Sequence, residues 1–263
     1  MLRFQIPDCY KELIENYWFQ NKEECPSFDD IVDNLKNNPE FITDTVVGEE
    51  FFKYVDYVES YLSLDKTENN ENLRNDLFQK VSINLKLAED TIDESDPLIK
   101  NGFLNLKHFE KVKLQSTNDT FKIYEVKHKE TGAIYSAKVT TIKMKKLSKR
   151  EIMNFSREVN NISQIKHPSI LKFIGYSRKD FRNKNKPVII TEITPNGTLR
   201  GILLNKEKGN TIISKWNDTK KLINIYGIAS GMYFLHSNNI IHRNLTPEEI
   251  FLDDDLYPKI GHF

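Results

Sequence analysis

The stretch Thr219 to His236 (TKKLINIYGIASGMYFLH) sets the hardest requirement on this 263-residue chain. Leu222, Ile223, Ile225, Ile228, Met232 and Leu235 fall nearly all round a helix instead of along one stripe. A helix that is apolar on every side belongs inside a core. Leaving such surface in water costs about 25 cal/mol per Å², so another part of the chain has to cover it.

The front of the chain offers the material. Residues 1–43 read as helical: Tyr10, Leu13, Ile14, Tyr17 and Trp18 recur at helical spacing. After Pro26, Ser27 with Asp30 three residues on predicts a capping box opening a helix through Ile31 and Leu35. One hypothesis is that residues 1–43 fold back onto Thr219–His236. Residues 44–105 hold a further helix near Glu49 to Leu64, with Phe51, Phe52, Val55, Val58 and Leu62 as its apolar positions. An Asn- and acid-rich segment follows, and then a second apolar-periodic patch from Leu73 to Leu87. The acidic run Glu89 to Asp96, closed by Pro97, reads as a solvated linker.

From residue 106 the period changes. Phe121 to Val126 and Ile134 to Val139 alternate and are joined through Thr131-Gly132, a hairpin signature. Glu151 to Ile165 places Ile152, Phe155, Val159, Ile162 and Ile165 on one helical face. Ile170 to Tyr176 and Val188 to Ile193 are further strand candidates, separated by the basic loop Arg178 to Lys186. The order describes an α+β chain in which a small sheet lobe leads into a helical lobe.

Lys plus Arg equals Asp plus Glu, 38 each, and the pI is near 7.0. This removes any global attraction to nucleic acid or an anionic membrane. Cys9 and Cys25 are too few for a disulfide framework. No apolar run reaches the roughly 20 residues that span a bilayer, and the first residues lack the order of a signal peptide. A soluble, cytoplasmic protein with free thiols is the expectation.

Residues 241–263 read IHRNLTPEEIFLDDDLYPKIGHF. This run resembles the catalytic loop and magnesium-binding strand of protein kinases, H-R-D-L-x-x-x-N followed by D-F-G. The resemblance extends backwards in order. Lys138 in YSAKV matches the third-strand lysine, and Glu158 in SREV matches its helix partner. His167-Pro168-Ser169-Ile170 is similar to the turn into the fourth strand, and Val188 to Leu199 is similar to the hinge. The wording, PNGTL and SGMYFLHS included, is most similar to tyrosine-kinase-like kinases of the serine/threonine group. A weaker resemblance lies in DCYKELIENYWFQNKEECPSFDDIVDNL, which is similar to the last helices of such a domain. Tyr17, Lys22 and Cys25 there replace its cysteine, proline and arginine.

The resemblance implies a kinase-like two-lobe α+β fold with a small β-rich lobe, an incomplete helical lower lobe and a helical N-terminal region. Its divisions are 1–43, similar to the end of a lower lobe; 44–105, a helical linker; and 106–263, a kinase-like domain truncated at the magnesium-binding strand.

Phosphoryl transfer needs backbone amides over the phosphates, a lysine on them, metals held by oxygen and amide ligands, and a base. The glycine loop belongs near Leu114 to Ile123, yet no glycine occurs between Phe103 and Thr131. Lys138 and Glu158 are present. The base position holds Asn244, whose amide cannot take a proton, and general base catalysis contributes about 10²–10⁴-fold. Glu249 replaces the metal-binding amide and His262 the metal-binding aspartate. Imidazole suits hard Mg²⁺ poorly. Thr246 stands where a serine/threonine kinase carries lysine.

The nucleotide slot implied by the family comprises Ile123, Ser136, Lys138, Glu158, Thr191, Glu192, Ile193 and Phe251. Phe251 is read as partly filling the adenine position. Ile162, Phe173, His242 and Phe263 match positions stacked between kinase lobes, and ordinary core packing is the favoured account of them. Asp253, Asp254 and Asp255 read as a solvated turn with no metal, and the basic run Lys143 to Arg150 reads as an exposed helix start.

The expectation is a degenerate, non-catalytic pseudokinase module with no cofactor required, ATP bound weakly if at all, and no Mg²⁺. Its partner would be a protein, an active kinase among the candidates, with neither nucleic acid nor membrane. Two alternatives stand beside it: an ATP-binding protein kinase with residual transfer, and a non-functional fragment of a tandem kinase gene.

Overall fold

Twenty residues, Asp218–Ser237, form the buried helix that the sequence demands, and the front of the chain covers it. The structure, a computed structural model, describes residues 7–17, 26–65, 104–142, 150, 158–159, 161–204 and 215–263. The apolar patch at 73–87, the acidic run at 89–96, the basic run at 143–149, and Trp18, Lys22, Cys25, Ile152 and Phe155 lie outside the described residues. By contacts the chain divides into two compact units. One comprises Met1–Thr67, His167–Ile170 and Pro195–Gly261, and the other Glu68–Lys166, Leu171–Thr194 and His262–Phe263.

In the first unit the helices are α1 (Asp8–Tyr17), α2 (Phe28–Asn37), α3 (Gly48–Asp65), α4 (Leu199–Leu204) and α5 (Asp218–Ser237). The capping box of α2 forms as read: the Asp30 amide donates to Ser27 Oγ at 3.2 Å, and the Ser27 amide donates to Asp30 Oδ2 at 2.7 Å. Cys9, Leu13, Val32, Leu35, Phe41, Phe51, Val55 and Val58 close one apolar cluster with Leu222, Ile223, Tyr226 and Ala229. Among the described residues of 1–43, α1, α2 and Phe41 fold back onto 219–236, and α3 extends this cover. Phe51 meets Tyr226 edge-on, with ring centroids 5.7 Å apart.

Polar contacts fix the register of this cover. The Val47 amide donates to Thr219 Oγ1 at 2.8 Å, Thr45 Oγ1 donates to Asp218 Oδ2 at 2.6 Å, and Lys220 pairs with Glu50 at 2.6 Å. Gly227 explains why α5 tolerates a poor helix former. A Cβ there would lie 2.6 Å from both the Pro258 ring and the Tyr54 hydroxyl, so the close approach requires glycine at a helix cost of about 1 kcal/mol.

A two-stranded hairpin, β6 (Ile250–Leu252) and β7 (Pro258–Ile260), completes this unit in the numbering of the strands below. Of the three aspartates read as solvated, Asp254 and Asp255 are exposed, but Asp253 is half-buried and builds the turn. Its Oδ1 accepts from the amides of Asp255 and Tyr257 at 3.1 and 2.9 Å. Burial raises its pKa above the ordinary carboxylate value, against the pull of those bonds and of Lys259.

The second unit is a five-stranded antiparallel sheet in the order β1-β2-β3-β5-β4. Its strands are β1 (Phe109–Thr117), β2 (Phe121–His128), β3 (Ile134–Thr140), β4 (Phe173–Ser177) and β5 (Val188–Glu192). Val126, Ala137, Val139, Val188 and Ile190 form its core with Leu106 and Phe109. The glycine-free stretch Leu114 to Ile123 comprises the end of β1, a tip and the start of β2. The fourth strand begins at Phe173, not Ile170, because Ile170 bridges to Ile260 in the other hairpin. Among the described residues no helix is long and apolar enough to cross a membrane.

Candidate functional site

The kinase-like positions divide between the two units. In the sheet unit, β3 is flanked by β2 and β5, with Lys138 opposite Ile123 on one side and Ile189 on the other. Ser136 lies opposite Thr191. Cross-strand partners and residues two apart share a sheet face, so Ile123, Ser136, Lys138 and Thr191 line the same one. Half-buried Ile193 follows β5. Glu192 is tied differently, since its Oε1 accepts from the Lys172 amide at 2.8 Å and its own amide donates to Lys172 O at 2.9 Å.

Lys138 Nζ stands 2.7 Å from Glu158 Oε1, both side chains about four-fifths shielded at 22% and 21% exposure. The Phe121 ring also takes part, its centroid 4.9 Å from the ammonium. A cation at that distance over an aromatic face gains about 0.5–1 kcal/mol, and more when desolvated. Phe121 also neighbours the His262 ring, with centroids 6.3 Å apart. His262 holds a left-handed backbone, φ 61°, which imidazole residues adopt more readily than most.

The β1–β2 tip explains how Phe121 is held. Asn118 Oδ1 accepts from the amides of Thr120 and Phe121 at 2.9 and 2.8 Å, and the Asn118 amide donates to Phe121 O at 3.0 Å. The Thr141 amide donates to Thr120 O at 2.9 Å, and Thr141 Oγ1 donates to Asp119 O. A phosphate-cradling loop presents free backbone amides. Here the amides of Thr120 and Phe121 are engaged by the chain's own Asn118 side chain.

In the helical unit, buried His242 orders the loop around the expected base. Its Nε2 donates to Gly261 O at 3.0 Å, and its Nδ1 accepts from the Asn244 amide at 3.4 Å, a neutral tautomer. Exposed Asn244 directs Nδ2 toward Glu249 Oε1 at 3.5 Å, the limit of a hydrogen bond. Carboxylate and amide have thus exchanged places relative to the kinase pattern. Thr246 is half-buried, its carbonyl accepting from the Glu249 amide at 2.9 Å. Phe251 is half-buried in β6, bridged to Thr198 and paired with Lys259.

His167 anchors the turn before β4. Its Nδ1 accepts from the Ser169 amide at 3.1 Å, and Nε2 faces Ser230 Oγ at 3.4 Å. Burial chiefly, and Lys259 secondarily, pull its pKa from 6.5 down to about 3, so it stays neutral. Among the lobe-stacking positions, Ile162 is buried and Phe173 packs with Val159, Tyr176 and Ile189. Half-buried Phe263 is in the sheet unit and His242 in the helical one.

Sequence reasoning found Lys138 and Glu158 but missed Phe121, Asn118 and Thr141. The available sign was an Asn-Asp-Thr turn followed by an aromatic where glycines were expected. Asn at a turn bonds amides two and three residues on.

Residues 118–263, more than half of the chain, match the family described as protein tyrosine and serine/threonine kinase. The chain belongs to that family. Aurora kinase of Saccharomyces cerevisiae is 30% identical over 178 residues, 65% of this chain and 44% of that protein. The tyrosine-protein kinase receptor svh-2 of Caenorhabditis elegans is 34% identical over 139 residues, 50% of this chain and 12% of that one. Lectin-domain containing receptor kinase VI.3 of Arabidopsis thaliana is 27% identical over 138 residues, 50% of this chain and 19% of that one. The chain spans less than half the length of each. Among solved structures, the pseudokinase DRIK1 (drought responsive inactive kinase 1) is similar, with a TM-score of 0.49 and 21% identity. The match covers 57% of this chain and 55% of that one. The described elements are α+β, a five-stranded sheet unit and a helical unit, and residues 118–263 match the kinase family.

Proposed function

We propose that this chain is a non-catalytic kinase-like module that acts by binding other proteins, an active kinase being the first class of partner to test. The observation that carries the proposal is the Lys138 corner. The lysine aligned with the family's phosphate contact is paired to Glu158 and lies against the Phe121 ring, beside a tip whose amides are bonded internally. Asn244 offers no base and His262 no hard oxygen ligand, which supports the same conclusion. On this reading no cofactor is required, ATP binds weakly or not at all, Mg²⁺ is not held, and the module works in the cytoplasm without nucleic acid or membrane.

A second reading, residual transfer by an ATP-binding kinase, draws on the intact Lys138–Glu158 pair and on the Glu249 carboxylate beside Asn244. Thermal melting alone, with ATP, and with ATP plus Mg²⁺ separates the two, because any ligand of the native state raises its stability. The expected result is a cooperative melt that nucleotide leaves unmoved. A rise that requires Mg²⁺ would overturn the metal-free reading, and transfer to a generic substrate in the same conditions would then decide for the second. The paired variant Asn118→Gly with Phe121→Gly frees the tip amides and the lysine, and is expected to make ATP binding measurable. If affinity remains absent, the tip is not what excludes nucleotide.

A further inference from the structure

We propose that His108, His128 and Glu130 form a binding site for a borderline divalent metal ion of the zinc class. The site lies at the end of the β1–β2 pair opposite the 118–120 tip, and it is independent of the nucleotide question. Sheet register brings the residues together, since Phe109 is opposite His128, which sets His108 beside that ring. The Lys129 amide donates to His108 O at 2.8 Å. The Gly132 amide donates to His128 O at 2.8 Å, closing the turn that carries Glu130 at a glycine with φ 72°. The three donor atoms all lie within 4.8 Å of one another.

The distances fit a small tetrahedral ion. Zinc bonds of about 2.0–2.1 Å to nitrogen and oxygen imply donor-to-donor edges of about 3.3–3.4 Å. His108 Nδ1 and Glu130 Oε1 are 3.4 Å apart. The other donor pairs lie within 4.8 Å, and exposed His108 and Glu130 are the side chains whose rotation would close them onto half-buried His128. The two imidazoles are nearly parallel, 14° between planes and 6.2 Å between centroids. Thr131 tethers the His128 ring, its amide and Oγ1 lying 3.3 and 3.2 Å from Nδ1. The Thr131 amide donates to Nδ1, which leaves the proton of the metal-free ring on Nε2. Metal on Nε2 moves that proton to Nδ1, which gives up the amide and donates to Thr131 Oγ1 instead, the outer-shell arrangement usual for ligating histidine. Lys129 directs its ammonium to Lys107 O at 2.7 Å. Two nitrogens and one carboxylate favour Zn²⁺, Ni²⁺ or Cu²⁺ over Mg²⁺ or Ca²⁺, with water in the fourth position.

The test is calorimetric titration of the EDTA-treated, dialysed full chain with Zn²⁺, alongside thermal melting. One saturable site and a higher melting temperature are expected, with no response to Mg²⁺. His108→Ala and His128→Ala should each weaken binding at least ~10-fold, and Glu130→Gln less. Without metal, His108→Ala and Glu130→Gln should melt like the parent because both residues are exposed. Truncating half-buried His128, edge-on to Phe109, should lower the melting temperature, so its effect on binding is read from the titration of the folded variant. No saturable binding would overturn the site. So would binding that survives the His108→Ala/His128→Ala double variant, which would place the metal on other donors.

Discussion

The cluster beneath α5 and the corner around Lys138 are both built from side chains brought together across long stretches of sequence, yet they have met different fates. Under α5 the pattern of a buried core is complete: Phe41, Phe51, Val58, Leu222, Ile223 and Tyr226 are fully enclosed. Around Lys138 the cation and its carboxylate match the family pattern, while Phe121, Asn118 and His262 beside them do not. Packing depends on volume and hydrophobicity, which many residues supply. Phosphoryl transfer depends on single atoms at single positions, and exchanging one base oxygen for nitrogen removes a contribution of about 10²–10⁴-fold.

That contrast breaks if removing bulk from the helical cluster proves harmless. Phe51→Ala should cost about 3–5 kcal/mol, through lost burial and the cavity left behind. A chemical denaturation midpoint lower by that amount would be the expected outcome. Next in size is a pH effect from His167. The unfolded chain takes up a proton near pH 6.5 and the folded one only near pH 3. Stability is therefore fully present above 6.5 and falls as pH drops through 6.5 toward 3, by a few kcal/mol at most. His167→Gln should flatten that window in denaturation curves recorded across it.

Ser27→Ala should cost about 1 kcal/mol by removing the cap of α2, visible as a small drop in melting temperature. Smallest on stability is Lys138→Met, within about 1 kcal/mol, because a partly exposed ion pair is worth little. A loss above 3 kcal/mol there would mean that the corner is as structural as the core. On the chemical side, Asn244→Asp with His262→Asp should leave phosphorylation of a generic substrate at background, because Phe121 and the closed tip remain. Recovered transfer would show that those two residues were the limiting defects.

Much of this was legible in the residues. The all-round apolar pattern of 219–236 required a cover, and Ser27 with Asp30 placed the start of one covering helix. Lys138 and Glu158 stood out because their motifs are local and ordered. What escaped depended on register. His108 and His128 become neighbours only once β1 pairs with β2. The strand β1 was itself hard to see, since Val112 and Leu114 are exposed and two bulges interrupt its alternation. The closed tip rests on one Asn side chain and on Thr141, which lies beyond the next strand.

The pairing of α3 with α5 also imposes a schedule on synthesis. The Val47–Thr219 contact spans 172 residues, and a ribosome adding about 5–20 residues per second needs roughly 10–30 s to make them. Throughout that interval the apolar faces of α2 and α3 are outside the ribosome without their partner. The strands of the sheet unit lie between α3 and α5 in sequence, so they are synthesised before the helical unit can close. A nascent chain of this design is exposed to aggregation for longer than its size suggests, and holding chaperones have a defined window in which to act.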